Sequence, residues 1–171
     1  MEKSIKIIGK TNIDKLQPNK PNQRVISQNW DKKEIILDDN QQLPILNQLY
    51  LNIPFDGDND VIKELEKKIY GYKQQDIKKN IYDEETLITY QQLLEKLVKS
   101  KLRCYYCKTK LKLIYDSARD KKQWTLDRLN NDLNHSDENT IIADLKCNLE
   151  RRCQDETKFL WGKQLKITKL N

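Results

Sequence analysis

Three cysteines and one aspartate set the tightest limit on what this chain can fold into. Cys104 and Cys107 are separated by two residues, and Cys147 follows Asp144 at the same spacing. Two thiolates so placed can turn toward a single ion about 2.3 Å from each sulfur. A redox pair of this spacing stands ahead of a helix, whereas the residues after Cys107 alternate as a strand does, which argues for a metal knuckle instead. Structural zinc takes four ligands. Cys147 is the third, and the fourth is contested between Asp144 and Cys153. Asp144 fits the geometry better, because six residues along a helix turn Cys153 well away from Cys147.

The composition of the whole chain agrees with an expected metal or partner. Its 171 residues suffice for one domain, or for one compact domain with an appended arm. Apolar residues make up 37% and charged residues 34%, against about 45–50% and roughly 25% in an ordinary globular domain. The core is therefore expected to be small, and such a core draws stability from a metal or a partner.

Charge and targeting narrow the function classes. The formal net charge is +6, and the segment from Val98 to Asn171 holds seventeen Lys and Arg against ten Asp and Glu. That excess in the cysteine-bearing segment favours a polyanionic partner, nucleic acid first. Met1 to Lys6 includes Glu2, and only Ile7-Ile8 is apolar before Gly9, so no secretory leader is expected. No run of eighteen apolar residues occurs, which excludes a helical membrane span. Four cysteines without an export signal point to a reducing, intracellular setting, cytoplasm or nucleus, and away from disulfides and secretion.

Along the chain three segments are expected. Residues 1–58 alternate short apolar pieces with Asn, Gln and Pro and read as an extended arm, with short strands at Ser4–Ile8 and Glu34–Leu37. Leu43, Ile45, Leu46, Leu49 and Tyr50 of that arm could pack on the body or on a protein partner, and packing on the body is the better reading because a small domain needs every apolar residue. Residues 59–101 read as an antiparallel helical pair. Ile62, Leu65, Ile69 and Tyr72 mark a helix over 61–80 with Asn59 or Asp60 as cap and Gly71 as a possible kink, and Leu87, Tyr90, Leu94 and Leu97 mark another over 84–100. Within residues 102–171, Lys110–Tyr115 and Gln123–Leu126 read as strands, 127–140 as a polar loop, 141–143 as a short extended piece, and Asn148 to Gln164 as one helix packing through Leu149, Phe159, Leu160 and Leu165. Trp124 and Trp161 could stack on bases, but core packing is the better reading. The fold class expected is α+β.

The order of motifs in the last third carries a resemblance. A CxxC, a strand ending in Asp127-Arg128, a polar loop with His135 and Asn139, a short strand, and Cys147-Asn148 opening a helix resemble the HNH endonucleases with a ββα-metal (His-Me) finger. The likeness is greatest to zinc-stabilised variants with a Leu-Asp-Arg motif, found in phage and large DNA viruses. It covers about residues 102 to 155. The resemblance implies a small zinc-stabilised ββα-metal finger and a catalytic Mg²⁺ or Mn²⁺ on Asp127 and Asn148, beside the structural Zn²⁺ that the spacing assigns to Cys104, Cys107, Cys147 and Asp144, the last standing in a cysteine position of the family. It implies that Asn139 braces the loop, that DNA is the substrate, and that a viral factory or virion is a further setting. One departure stands out: most HNH enzymes carry their general-base histidine where this chain has Arg128, which stays protonated and can only clamp phosphate. His135, the only histidine, has the ordinary pKa range suited to the task.

Three functions follow in rank order. The first is a metal-dependent HNH-type endonuclease cleaving DNA phosphodiester bonds. The second is a catalytically degenerate HNH-like zinc module that binds nucleic acid or a protein partner. The third is a structural zinc domain serving the helices.

Overall fold

The computed structural model describes Ile26, Trp30 and residues 33–165. Among the described residues the fold is α+β, with six helices and one two-stranded antiparallel sheet. The helices α1 (Lys33–Leu37), α2 (Gln42–Tyr50), α3 (Asp58–Lys78) and α4 (Tyr90–Ser100) precede the strands β1 (Trp124–Arg128) and β2 (Thr140–Asp144), and α5 (Leu145–Arg151) and α6 (Glu156–Gln164) follow them.

Residues 33–58 depart from the expected extended arm. Glu34–Leu37 lies in α1, not in a strand, and Ser4–Ile8 falls outside the described residues. Ile36, Ile45, Leu46 and Leu49 are buried in the main core, so α1 and α2 are structural walls of the body. Helical spacing of these apolar residues, four and three apart along α2, outweighs the Asn, Gln and Pro content that suggested extension. Gln42 then fastens α2 to a distant segment: its Oε1 accepts from the backbone N–H of Leu113 (2.6 Å) and Ile114 (3.2 Å), and its Nε2 donates to Ile114 O (2.9 Å).

That side chain also explains why Lys110–Tyr115 is no strand. Leu113 and Ile114 spend their N–H groups on Gln42, and Leu111 N–H donates to Leu102 O (2.7 Å). Only isolated bridges remain, Arg103 with Lys110 and Lys112 with Gln123. The sheet forms instead from β1 and β2, registered Trp124 to Asp144 and Arg128 to Thr140.

Helix α3 runs through Gly71, where an added Cβ would meet nothing within 4 Å. Its buried face is Val61, Leu65, Tyr72 and Asp76, with Ile62 and Ile69 only flanking the core. Its N-cap is Gly57 at φ 88°, without a capping side chain. Helix α4 begins six residues later than expected, at a capping box in which Thr89 accepts from Gln92 N–H and the Gln92 side chain accepts from Thr89 N–H. Asp83 caps a separate turn through Glu85 N–H (3.0 Å) and Thr86 Oγ1 (2.9 Å). Helix α4 packs chiefly on α2 and touches α3 and β2, so the expected pairing of two helices is a three-helix arrangement.

The single helix expected over 148–164 is two. Arg152 takes φ 51°, and Asp155 starts α6 by accepting from Lys158 N–H (3.0 Å). Helix α5 therefore stays short and packs on both strands, leaving Leu149, Trp161 and Leu165 exposed, while Phe159 and Leu160 reach the core edge. Trp124 is buried and its indole N–H donates to Leu113 O (2.9 Å).

Candidate functional site

Local backbone geometry builds a thiol and carboxylate cluster. The turn after α4 is closed by Cys104 N–H to Thr109 O (3.0 Å) and Lys108 N–H to Cys104 O (3.0 Å), with Lys108 at φ 60°. Tyr105 N–H hooks this turn to β2 at Ile142 O (2.9 Å). Asp144 ends β2 and caps α5 by accepting from Cys147 N–H. One residue thus delivers a carboxylate and orients the first turn that delivers the thiol.

The ligand atoms of Cys104, Cys107, Asp144 and Cys147 all lie within 4.8 Å of one another, and these residues could hold a metal ion. Tetrahedral zinc, with bonds of about 2.0–2.3 Å, needs ligand separations a little under about 4 Å, so small adjustments would close this set around it. Cys153 is exposed and lies outside the group. Cys107 Sγ donates to Asp144 Oδ2 (3.0 Å), and Asp144 N–H donates to Cys104 Sγ (3.3 Å). The thiols cannot all ionise unaided. The hydrogen bond from Cys147 draws Cys104 down to about 6, whereas Cys147 is pushed up by that same bond and by burial. Burial, then the Asp144 hydrogen bond, raises Cys107. Burial alone would raise Asp144, but hydrogen bonds from Cys107 and Cys147 hold it below the usual carboxylate range.

Asp127 is also buried, 4% exposed. Arg151 grips it from α5, Nε to Oδ2 at 2.6 Å and Nη2 to Oδ1 at 2.8 Å, and the Tyr106 hydroxyl donates to Oδ2 at 2.7 Å. Arg151 also donates to the carbonyls of Arg128 and Gln154 (2.8 Å for the latter). Asp127 therefore acts as the anchor that fixes α5 to β1. The amide nitrogen of Asn148 donates to Thr125 Oγ1 (3.0 Å) and Leu126 O (3.3 Å), which leaves its Oδ1 as the remaining polar atom. Asn139 is buried and ties the loop together: its Nδ2 donates to Asn130 O and Asn134 O (2.9 Å each), and its Oδ1 accepts from Asn130 N–H (2.9 Å).

A second constellation spans the chain. His135, 3% exposed, receives both oxygens of Asp76 from α3: its backbone N–H donates to Oδ2 (2.8 Å), and Nδ1 lies 2.7 Å from Oδ1. Arg128 Nη1 stands 3.6 Å from the same Oδ1 and donates to Leu133 O (3.1 Å). The guanidinium is thus part of a buried network and not a free phosphate clamp. Tyr72 lies against the imidazole, ring centroids 4.6 Å apart, and its hydroxyl accepts from Leu126 N–H (2.9 Å). Ile88 N–H donates to His135 O (2.9 Å), so the link before α4 also holds the loop. Burial lowers the His135 pKa against the pull of Asp76, and the Arg128 and Lys79 cations lower it further.

This constellation borders a cavity of about 490 Å³ between α3 and the hairpin, lined by Lys67, Lys68, Tyr72, Arg128, His135 and Asn148 among others. Lys68 sits over the Trp124 ring at 4.0 Å, donates to Trp124 O, and has its pKa lowered by burial against the opposing pull of Glu64. Lys68 and Asp76 were not among the residues singled out from sequence, and Tyr72 was named only as part of a helical stripe. The available signal was a helical stripe, Val61, Leu65, Lys68, Tyr72 and Asp76, whose polar members occupy core-facing positions. Such a carboxylate is costly unless paired. Comparison with known proteins found no family model, no curated protein and no solved structure that matches this chain.

Proposed function

We propose that the cavity between α3 and the hairpin binds a nucleic-acid phosphodiester and that the chain is an endonuclease of HNH type acting on DNA. The observation that carries this reading is His135, the sole histidine, held rigidly on the wall of a cavity that also exposes lysines and amides. With Nδ1 committed to Asp76, Nε2 is the ring atom that accepts a proton from the attacking water. A base with a lowered pKa is already neutral at ordinary pH. Lys67, its Nζ 2.9 Å from Glu64, lies where it offsets phosphate charge, and Asn131, whose Nδ2 spends one N–H on Arg152 O (3.0 Å), keeps the other for a phosphate oxygen. The net charge of +6 favours the same partner.

The residues fit the two metals unequally. Three thiols and a carboxylate suit zinc, which would brace the turn at Cys104 and the start of α5. Asp127 and Asn148 do not fit Mg²⁺ or Mn²⁺ as they stand, because both Asp127 oxygens are neutralised by Arg151. Binding a hard cation there requires Arg151 to give way.

The sealed Asp127 also favours a second reading, a module that binds nucleic acid without cutting it. Incubation of the purified protein with supercoiled plasmid, with Mg²⁺, Mn²⁺ or EDTA, separates the two. Nicking that falls about 10²–10⁴-fold in His135→Ala supports the nuclease, the range expected for loss of a general base. Salt-sensitive DNA binding with no cleavage in any condition sinks it and leaves the binding module.

A further inference from the structure

His135 belongs to the loop between the strands, yet the group that holds it comes from α3, fifty-nine residues earlier. We propose that Asp76 is a positioning residue for His135, so that the site is completed by a helix outside the hairpin and α5. This inference rests on the reading of His135 as the base.

The geometry makes the case in three steps. Asp76 is fully buried and gives one oxygen to the His135 backbone and the other to its ring, at 2.8 and 2.7 Å. The first bond fixes the loop, and the second fixes the ring's rotation. A carboxylate accepts, so Nδ1 must carry the proton, and the neutral ring then presents Nε2 as its basic atom. Tyr72 supports the ring face at 4.6 Å and is itself locked by Leu126 N–H, which removes the remaining rocking freedom.

The charges agree with a neutral, poised base. The groups facing the imidazole are Asp76, Tyr72 and Lys79 from α3 and Arg128 from β1. Arg128 at 3.6 Å balances the Asp76 charge, so the carboxylate can orient the ring without forcing it to stay protonated. A carboxylate used only to neutralise Arg128 would not need two bonds to His135. The cavity wall formed by His135 also places this network beside the space where substrate is proposed to lie.

Because the chain has a single histidine, ¹⁵N NMR of the imidazole reads the proposal directly. In the full-length protein, Nδ1 is expected to be protonated and Nε2 bare, and Asp76→Asn is expected to abolish that preference. The variant should also lose about 10²-fold or more in kcat, in line with loss of an orienting partner. Removing the anionic charge leaves Arg128 and Lys79 facing the ring, so the acid limb of kcat/KM should move to lower pH. Asp76→Glu should restore part of the rate, and Asp76→Asn should cost nothing further in a His135→Ala background.

An Nε2-protonated ring in the unsubstituted protein would overturn the proposal, even if Asp76→Asn fails to fold. So would a folded Asp76→Asn whose tautomer and pH profile are unchanged while its melting temperature falls, the result expected of a merely structural ion pair. If the unsubstituted protein cleaves nothing, the nuclease reading fails, whereas the tautomer measurement still decides whether Asp76 positions the ring.

Discussion

The thiol cluster and the cavity both border the β1–β2 hairpin but were assembled in opposite ways. Cys104, Cys107, Asp144 and Cys147 are brought together by one turn, one strand end and one helix cap, all within 44 residues. The cavity needs Lys68, Tyr72 and Asp76 from α3 to meet Arg128, His135 and Asn148. A local site can be formed by short-range geometry and then stabilised by what it binds. A split site forms only when separate segments dock, so its precision depends on the core between them.

Removing the metal should test the first half of that contrast with the largest effect. If the cluster binds zinc, metal analysis of the purified protein should return about one zinc per chain, and Cys147→Ser should lose it. Metal binding contributes on the order of 10 kcal/mol to folding in small zinc domains, so chelation should unfold the hairpin and α5, seen by circular dichroism and hydrogen exchange. Because α1 to α4 have their own buried contacts, exchange protection in α2 and α4 should outlast that in β2. Simultaneous loss everywhere would show that the two regions are one cooperative unit.

Asp127→Asn probes the boundary between the regions. It leaves Arg151 buried without its anionic partner, a change that costs about 3–5 kcal/mol when one member of a buried pair is removed. Urea denaturation should report that loss. A variant of unchanged stability that no longer cleaves DNA would instead make Asp127 a working metal ligand, and the anchoring role assigned to it here would fail. The smallest effect belongs to Cys153→Ser. Cys153 is exposed and outside the cluster, so stability should stay within about 0.5 kcal/mol and the zinc content should not change.

The ligand set was legible because its spacing is itself the constraint. Two residues between Cys104 and Cys107, and two between Asp144 and Cys147, leave few other geometries open. The segments whose structure differs from the expectation do so for other reasons. Residues 42–50 are apolar at helical spacing, but their Pro and Asn content suggested an arm. Residues 110–115 alternate like a strand, but a buried Gln42 took the N–H groups a strand partner needs. The residues expected to form one helix over 148–164 contain no proline, and the break at Arg152 and Asp155 appears only in backbone angles and a cap. Only over residues 110–115 did a tertiary partner outweigh local pattern; the other two turned on apolar spacing and on a local cap.

Asp76 shows the same limit at the site. Its position on the α3 stripe marks it as a carboxylate that must find a buried partner, but a stripe does not say which partner. His135 and Arg128 have no sequence relation to it. The sequence by itself determined the spacing behind the thiol cluster, the helical character of α3, the basic character of the last third and the singular histidine, because spacing and composition act over a few residues. Only the tertiary structure decided that Asp127 is closed by Arg151 and that His135 is held from another segment. Those pairings depend on which buried charges meet after the core has closed, and no local rule fixes that.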